Sequence, residues 1–305
     1  MYVKIKNAIE LLSELKCLKK RYSRCETRII SIEGKIQRII RNVQELVRNE
    51  LRRNERSIKL SEWIKDYLEI IKKGEMYNRK GFDKLSKKES DELIFWSWRN
   101  DLKERRELLL SLFSKQNIDF LTEEDVEAIL QYSWAPAKWW SDKPWKAWEV
   151  LEKNGLSKFR NELKSLLYGD GALEERFDRF LRNIRGFGVD YTTEVLMFIY
   201  PENCCLWNRV AADISILLGI NQLLPYNVWK YHMEVNGKDY IKCCRVLEVV
   251  KESLRKNGVE SPNFLDIYHF MFCTFRKLQR DAPFVLKEIR NFSMTKFCLP
   301  KKAKQ

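Results

Sequence analysis

The residues with the clearest chemical capacity lie between Phe177 and Val210, in FDRFLRNIRGFGVDYTTEVLMFIYPENCCLWNRV. Gly186-Phe187-Gly188 separates two apolar runs of helical period, with Phe177, Phe180, Leu181 and Ile184 before it and Val195, Leu196 and Ile199 after it. Two glycines around one apolar residue permit a tight turn, because glycine reaches backbone angles that other residues avoid. Such a turn aims the N–H groups at the start of the second helix outward, where they can hold a phosphate. Arg176, Arg179, Arg182 and Arg185 recur every third residue on the first helix, a spacing that drifts slowly and carries the last two towards the turn. Ion pairing with Glu174, Glu175 and Asp178 is the purely structural reading of this row. Phosphate contact is expected of Arg182 and Arg185.

Other reactive side chains carry less. The eight cysteines (Cys17, Cys25, Cys204, Cys205, Cys243, Cys244, Cys273 and Cys298) form no CxxC, and the adjacent pairs do not match zinc spacing. No metal or cofactor is expected. Buried thiols are the expected state, with a disulfide between the two Cys-Cys pairs as the alternative. Of the two histidines, His232 lies in a connection and His269 in the aromatic run PNFLDIYHFMFCTF, where it reads as a satisfied core residue. Half of the ten tryptophans fall between Trp134 and Trp148. Near-helical spacing favours core packing for them, and base stacking is the functional reading, for which Trp139 and Trp140 are the candidates.

The turn and its flanking helices resemble the helix-hairpin-helix of the base-excision DNA glycosylase superfamily, the endonuclease-III-like fold, whose pattern is roughly L-P-G-V-G-x-x-T-A. The resemblance covers about Glu174–Gly219. It implies a contact with the DNA backbone through Gly186, Phe187, Gly188, Val189, Thr192, Asn208 and Arg209, flanked by Arg182 and Arg185. It also implies two catalytic positions, and both are changed. The family's catalytic aspartate falls on Asn208 and the lysine of its bifunctional members on Asp190. An amide supplies no charge to a cationic sugar and cannot act as a base, and an aspartate forms no Schiff base. The four-cysteine iron–sulfur cluster of some members has no counterpart. The resemblance thus implies DNA binding, and a place in DNA repair, without glycosylase chemistry. An active DNA N-glycosylase that recruits another carboxylate such as Asp213 is the alternative, and an interaction protein without DNA contact is the second.

The elements that must position these residues are helical. Eleven glycines, seven prolines and few alternating β-branched runs predict an all-α chain. Residues 8–46 carry a heptad, with Ala8, Leu15, Tyr22, Ile29, Ile36 and Val43 at a, and Leu11, Leu18, Cys25, Ile32, Ile39 and Leu46 at d. Twelve apolar positions in register predict a coiled coil over 1–60 and a homo-oligomer formed through 8–46. Sedimentation of the full chain checks this, and a monomer would contradict it. Residues 61–118 read as a helical bridge and 119–292 as the glycosylase-like domain. Residues 293–305 read as a basic tail. Within the domain, Thr122-Glu123-Glu124-Asp125 is a helix start, and Gly169, Gly219 and Gly258 mark helix ends.

Charge is unevenly placed. Residues 1–60 hold 16 basic and 7 acidic side chains, residues 285–305 hold 6 and 1, and the 35 of each sign between them cancel. The ends therefore favour a polyanion more than the body does. Arg38, Arg41, Arg48, Arg52, Arg53 and Arg56 read as the solvated face of the first helix, or as an arm along phosphates. A charged start and no apolar run of spanning length predict a cytoplasmic protein with no membrane contact.

Overall fold

Every regular element among the described residues is a helix. The structure, a computed structural model, describes residues 60–76, 84–133, 143–225, 227–228 and 234–295. The heptad segment 8–46, the arginines 38–56, Trp134, Trp139, Trp140, His232 and residues 296–305 lie outside these. Contacts divide the chain into Met1–Lys59 and Leu60–Gln305, and the described residues all belong to the second unit.

The helices are α1 (60–76), α2 (Lys87–Leu112), α3 (Glu123–Tyr132), α4 (Lys143–Asn154), α5 (Leu156–Tyr168), α6 (Leu173–Asn183), α7 (Val189–Ile199), α8 (Arg209–Leu217), α9 (Gly237–Lys256), α10 (Phe264–Asp281) and α11 (Pro283–Thr295). Local chemistry sets several of the starts. The Thr122 hydroxyl accepts the Asp125 N–H at 3.2 Å and the Asp125 carboxylate accepts the Thr122 N–H at 2.7 Å, a reciprocal capping box. Asn263 and Asp266 repeat the arrangement at α10, and Asn236 caps α9.

The organising element is α7. Val189 and every residue from Tyr191 to Phe198 are buried, so this helix is enclosed on all sides. It packs on α6, α2 and α10, while α10 also lies against α8 and α9. Arg106 on α2 donates to the Phe198 carbonyl at 3.0 Å, and Phe177 on α6 stacks on Tyr240 of α9 at 4.8 Å. The 61–118 segment, expected as a bridge, contributes Ile64, Tyr67, Leu102, Leu109 and Phe113 to the same core as the later helices. His269 is the satisfied core residue expected, buried with Nδ1 2.8 Å from the Tyr67 hydroxyl.

Two tryptophans depart from the expectation of inward packing. Trp145 and Trp148 are 59% and 57% exposed, because α4 turns Ala147 and Val150 to the core and these two lie on its other side. Helical spacing gives a shared side, not which side is covered.

The start of α9 rests backbone to backbone on α6. The Asp178 carboxylate accepts the Gly237 N–H at 2.6 Å, and a Cβ on Gly237 would stand 2.0 Å from the Glu174 carbonyl oxygen. Backbone cannot yield as a side-chain tip can. Gly237→Ala is therefore expected to lower stability by about 3 kcal/mol, read from denaturant unfolding, whereas a change under ~0.5 kcal/mol would contradict this packing.

Candidate nucleic-acid interface

The turn between α6 and α7 is built from both sides. Gly186 takes φ +86°, which only glycine reaches without strain, and Gly188 begins α7 as its N-cap. Phe187 between them is fully buried, edge-on to Phe159 and Phe180 at 5.5 and 5.7 Å. From α4, Asn154 accepts the Arg185 N–H at 2.9 Å and donates to the Arg185 carbonyl at 2.8 Å. The Thr192 hydroxyl lies 3.0 Å from the carbonyls of Phe187 and Gly188. These bonds fix the turn, and its mouth stays open. The N–H groups of Val189, Asp190 and Tyr191 find no acceptor among the described residues, and a Cβ on Gly188 would meet nothing within 4 Å.

The four arginines of α6 and the turn separate into two roles. Arg176 donates to the Leu166 carbonyl at 2.6 Å, and Arg179 bonds the Ser165 hydroxyl and stands 4.0 Å from Glu162. Their partners are on α5, not the neighbouring acids that sequence spacing offered. Arg182 and Arg185 are exposed and form no ion pair among the described residues. Arg209 is engaged differently, with Nε 2.9 Å from the buried Asp213 carboxylate, which Arg290 of α11 also reaches at 3.3 Å. Burial raises the Asp213 pKa and the two arginines oppose that rise. Held between two cations in the core, Asp213 is a structural anchor for α8 and α11.

Asn208 sits beside α7 on the strap that joins it to α8. The Thr193 hydroxyl accepts the Trp207 N–H at 3.1 Å, and Trp207 Nε1 donates to the Val228 carbonyl at 3.3 Å. Asn208 then caps α8, its Oδ1 accepting the Ala211 N–H at 3.1 Å while Nδ2 donates to the Tyr268 hydroxyl at 3.1 Å. Both ends of the amide are used, and the residue is only 4% exposed.

Two acids of α7 complete the surroundings. Asp190 and Glu194 are one helical turn apart, and the Ser133 hydroxyl bonds the Glu194 carboxylate, which is 2% exposed. Burial, and then the Glu194 charge, push the Asp190 carboxyl up to about 7, and its Oδ1 is buried with no hydrogen-bond partner among the described residues. Burial and the same carboxylates raise the Tyr191 and Tyr268 hydroxyls well above the usual range. Sequence reading missed Glu194 because it lies inside VLMFI-type apolar surroundings. The i,i+4 spacing to Asp190 was the available signal. A cleft of about 280 Å³ lined by Tyr67, Ile71, Leu254, Val259 and Asp266 touches none of these groups.

Among the described residues no cluster of His, Cys, Asp or Glu could hold a metal, and no helix is long and apolar enough to cross a membrane. Compared with protein-family models, curated proteins and solved structures, the chain gives no match.

Proposed function

We propose that the chain is a DNA-binding protein that grips the duplex backbone with the turn between α6 and α7 and performs no glycosylase chemistry. The observation that supports this is the open, rigid turn: among the described residues three N–H groups find no acceptor, Gly188 is clear of neighbours, and Arg182 and Arg185 beside them form no ion pair. Oligomerisation through residues 8–46 would multiply such contacts. Titrating the full chain against duplex, single-stranded and abasic-site DNA at several salt concentrations tests the reading. Duplex binding that weakens steeply with salt and ignores sequence is expected. No binding at low salt would end it.

A second reading, an active DNA N-glycosylase, draws on one observation: Asp190 is a buried carboxyl with a pKa of about 7, beside Glu194 and the Asn208–Tyr268 pair. Such a carboxyl is suited to proton transfer at neutral pH. Base release from damaged duplexes that disappears in Glu194→Gln would favour it.

A further inference from the structure

We propose that Cys205 and Cys244 are a peroxide-oxidisable dithiol whose disulfide fastens the strap ahead of Asn208 to α9. The two sulfurs lie 3.5 Å apart, one on the strap and one on the second turn of α9. A disulfide requires about 2.05 Å, so the sulfurs must close by roughly 1.5 Å. The Cys205 N–H also points at the Cys244 sulfur at 3.4 Å.

These contacts make the thiols unequal. The hydrogen bonds from Cys205 hold the Cys244 thiol below its ordinary range. Burial pushes Cys205 and Cys243 well up and Cys204 to about 12. Cys273, the fifth buried thiol among the described residues, is also raised by burial, and its sulfur is 3.5 Å from His269 Nε2. The thiol whose pKa is lowered therefore has a resolving thiol 3.5 Å from its sulfur.

The chemistry balances with hydrogen peroxide as the oxidant. The Cys244 thiolate attacks one peroxide oxygen, forming a sulfenic acid and releasing hydroxide. The Cys205 sulfur then attacks the Cys244 sulfur, closing the S–S bond and expelling the sulfenic hydroxyl, and the protons from the two thiols leave in two waters. Two thiols are oxidised and one peroxide is reduced. Both cysteines are buried, so the folded chain shields them from bulky alkylators, and the oxidant used is a reagent little larger than water.

The test treats the folded full chain with hydrogen peroxide, removes the excess, alkylates in denaturant and maps the peptides by mass spectrometry. A link between the peptides of Cys205 and Cys244 is expected, reversed by dithiothreitol and lost in Cys244→Ala. It should persist in the double variant Cys204→Ala/Cys243→Ala, which removes the two neighbouring thiols that confuse the map. The melting temperature should rise by about 5–10 °C on oxidation, since the bond closes a long loop. If Cys244→Ala does not fold, the wild type and the double variant still decide. Alkylatable Cys205 and Cys244 after treatment, Cys244 ending as a sulfinic acid, or a bond to Cys204 or Cys243 would each overturn the proposal.

Discussion

DNA binding by this chain is expected to strengthen as the pH falls from 8 to 6, and Asp190→Asn to bind about tenfold more tightly than the wild type at pH 8. Asp190 is in the first turn of α7, where the N–H groups that find no acceptor among the described residues would meet a phosphate. One elementary charge about 6–8 Å from the phosphate, at an effective dielectric of roughly 30–40, opposes binding by about 1.4 kcal/mol, which is tenfold. The carboxyl sheds its proton near pH 7, so the repulsion is present at pH 8 and mostly gone at pH 6. Stability follows the same titration. The folded-state pKa lies above the usual 3.8, so stability is fully present below about pH 4 and lost as the pH rises through 7. Asp190→Asn should therefore be more stable than the wild type at pH 8 by about 2–4 kcal/mol, with the difference fading below pH 4. Affinity that does not change with pH, in both proteins, would detach Asp190 from the interface.

Asn208→Asp, the change that restores the resembling family's residue, is expected to destabilise the protein by about 2–3 kcal/mol at pH 8 and to release no base. The position is 4% exposed and within reach of the surroundings that Asp190 and Glu194 already charge. A third carboxylate there meets burial and two like charges, and it loses the amide donor to the Tyr268 hydroxyl. An aspartate still caps a helix well, which limits the loss. Lowering the pH to 5 should return most of the stability as the cluster takes up protons. Denaturant unfolding at both pH values measures the first part, and chromatography of bases freed from uracil, oxidised and alkylated duplexes measures the second. Full stability at pH 8 would mean that the cluster is better solvated than its burial indicates.

What the sequence made legible was local. The period of Phe177, Phe180 and Ile184, the glycines of the turn and the Thr122 cap are all found where short-range physics places them. The division of the arginines was half legible: the free pair was expected, but the partners of Arg176 and Arg179 lie on α5, in the preceding helix. The rest required long-range contacts. Asn154 clamps Arg185 across 31 residues, and Ser133 reaches Glu194 across 61. No window of sequence contains either pair. Trp145 and Trp148 show the same limit, since their side of α4 is decided by what the other helices cover. For Asp213 the Arg209 partner was within reach of the sequence, four residues back on α8, whereas Arg290 comes from α11, 77 residues on.

On the proposed function, the turn between α6 and α7, with Arg182 and Arg185, holds the DNA backbone. The most direct measurement is the slope of log K against log salt for duplex binding by the wild type and by Arg182→Ala/Arg185→Ala. Neither guanidinium makes an ion pair among the described residues, so the double variant should fold with unchanged stability. If each contacts one phosphate, the slope becomes shallower by about 1.8, close to 0.9 for each lost contact. Gly188→Ala, whose added methyl meets nothing within 4 Å, should fold normally and weaken binding alike on all sequences. A folded double variant with the wild-type slope and affinity would contradict the account and leave the turn a structural joint.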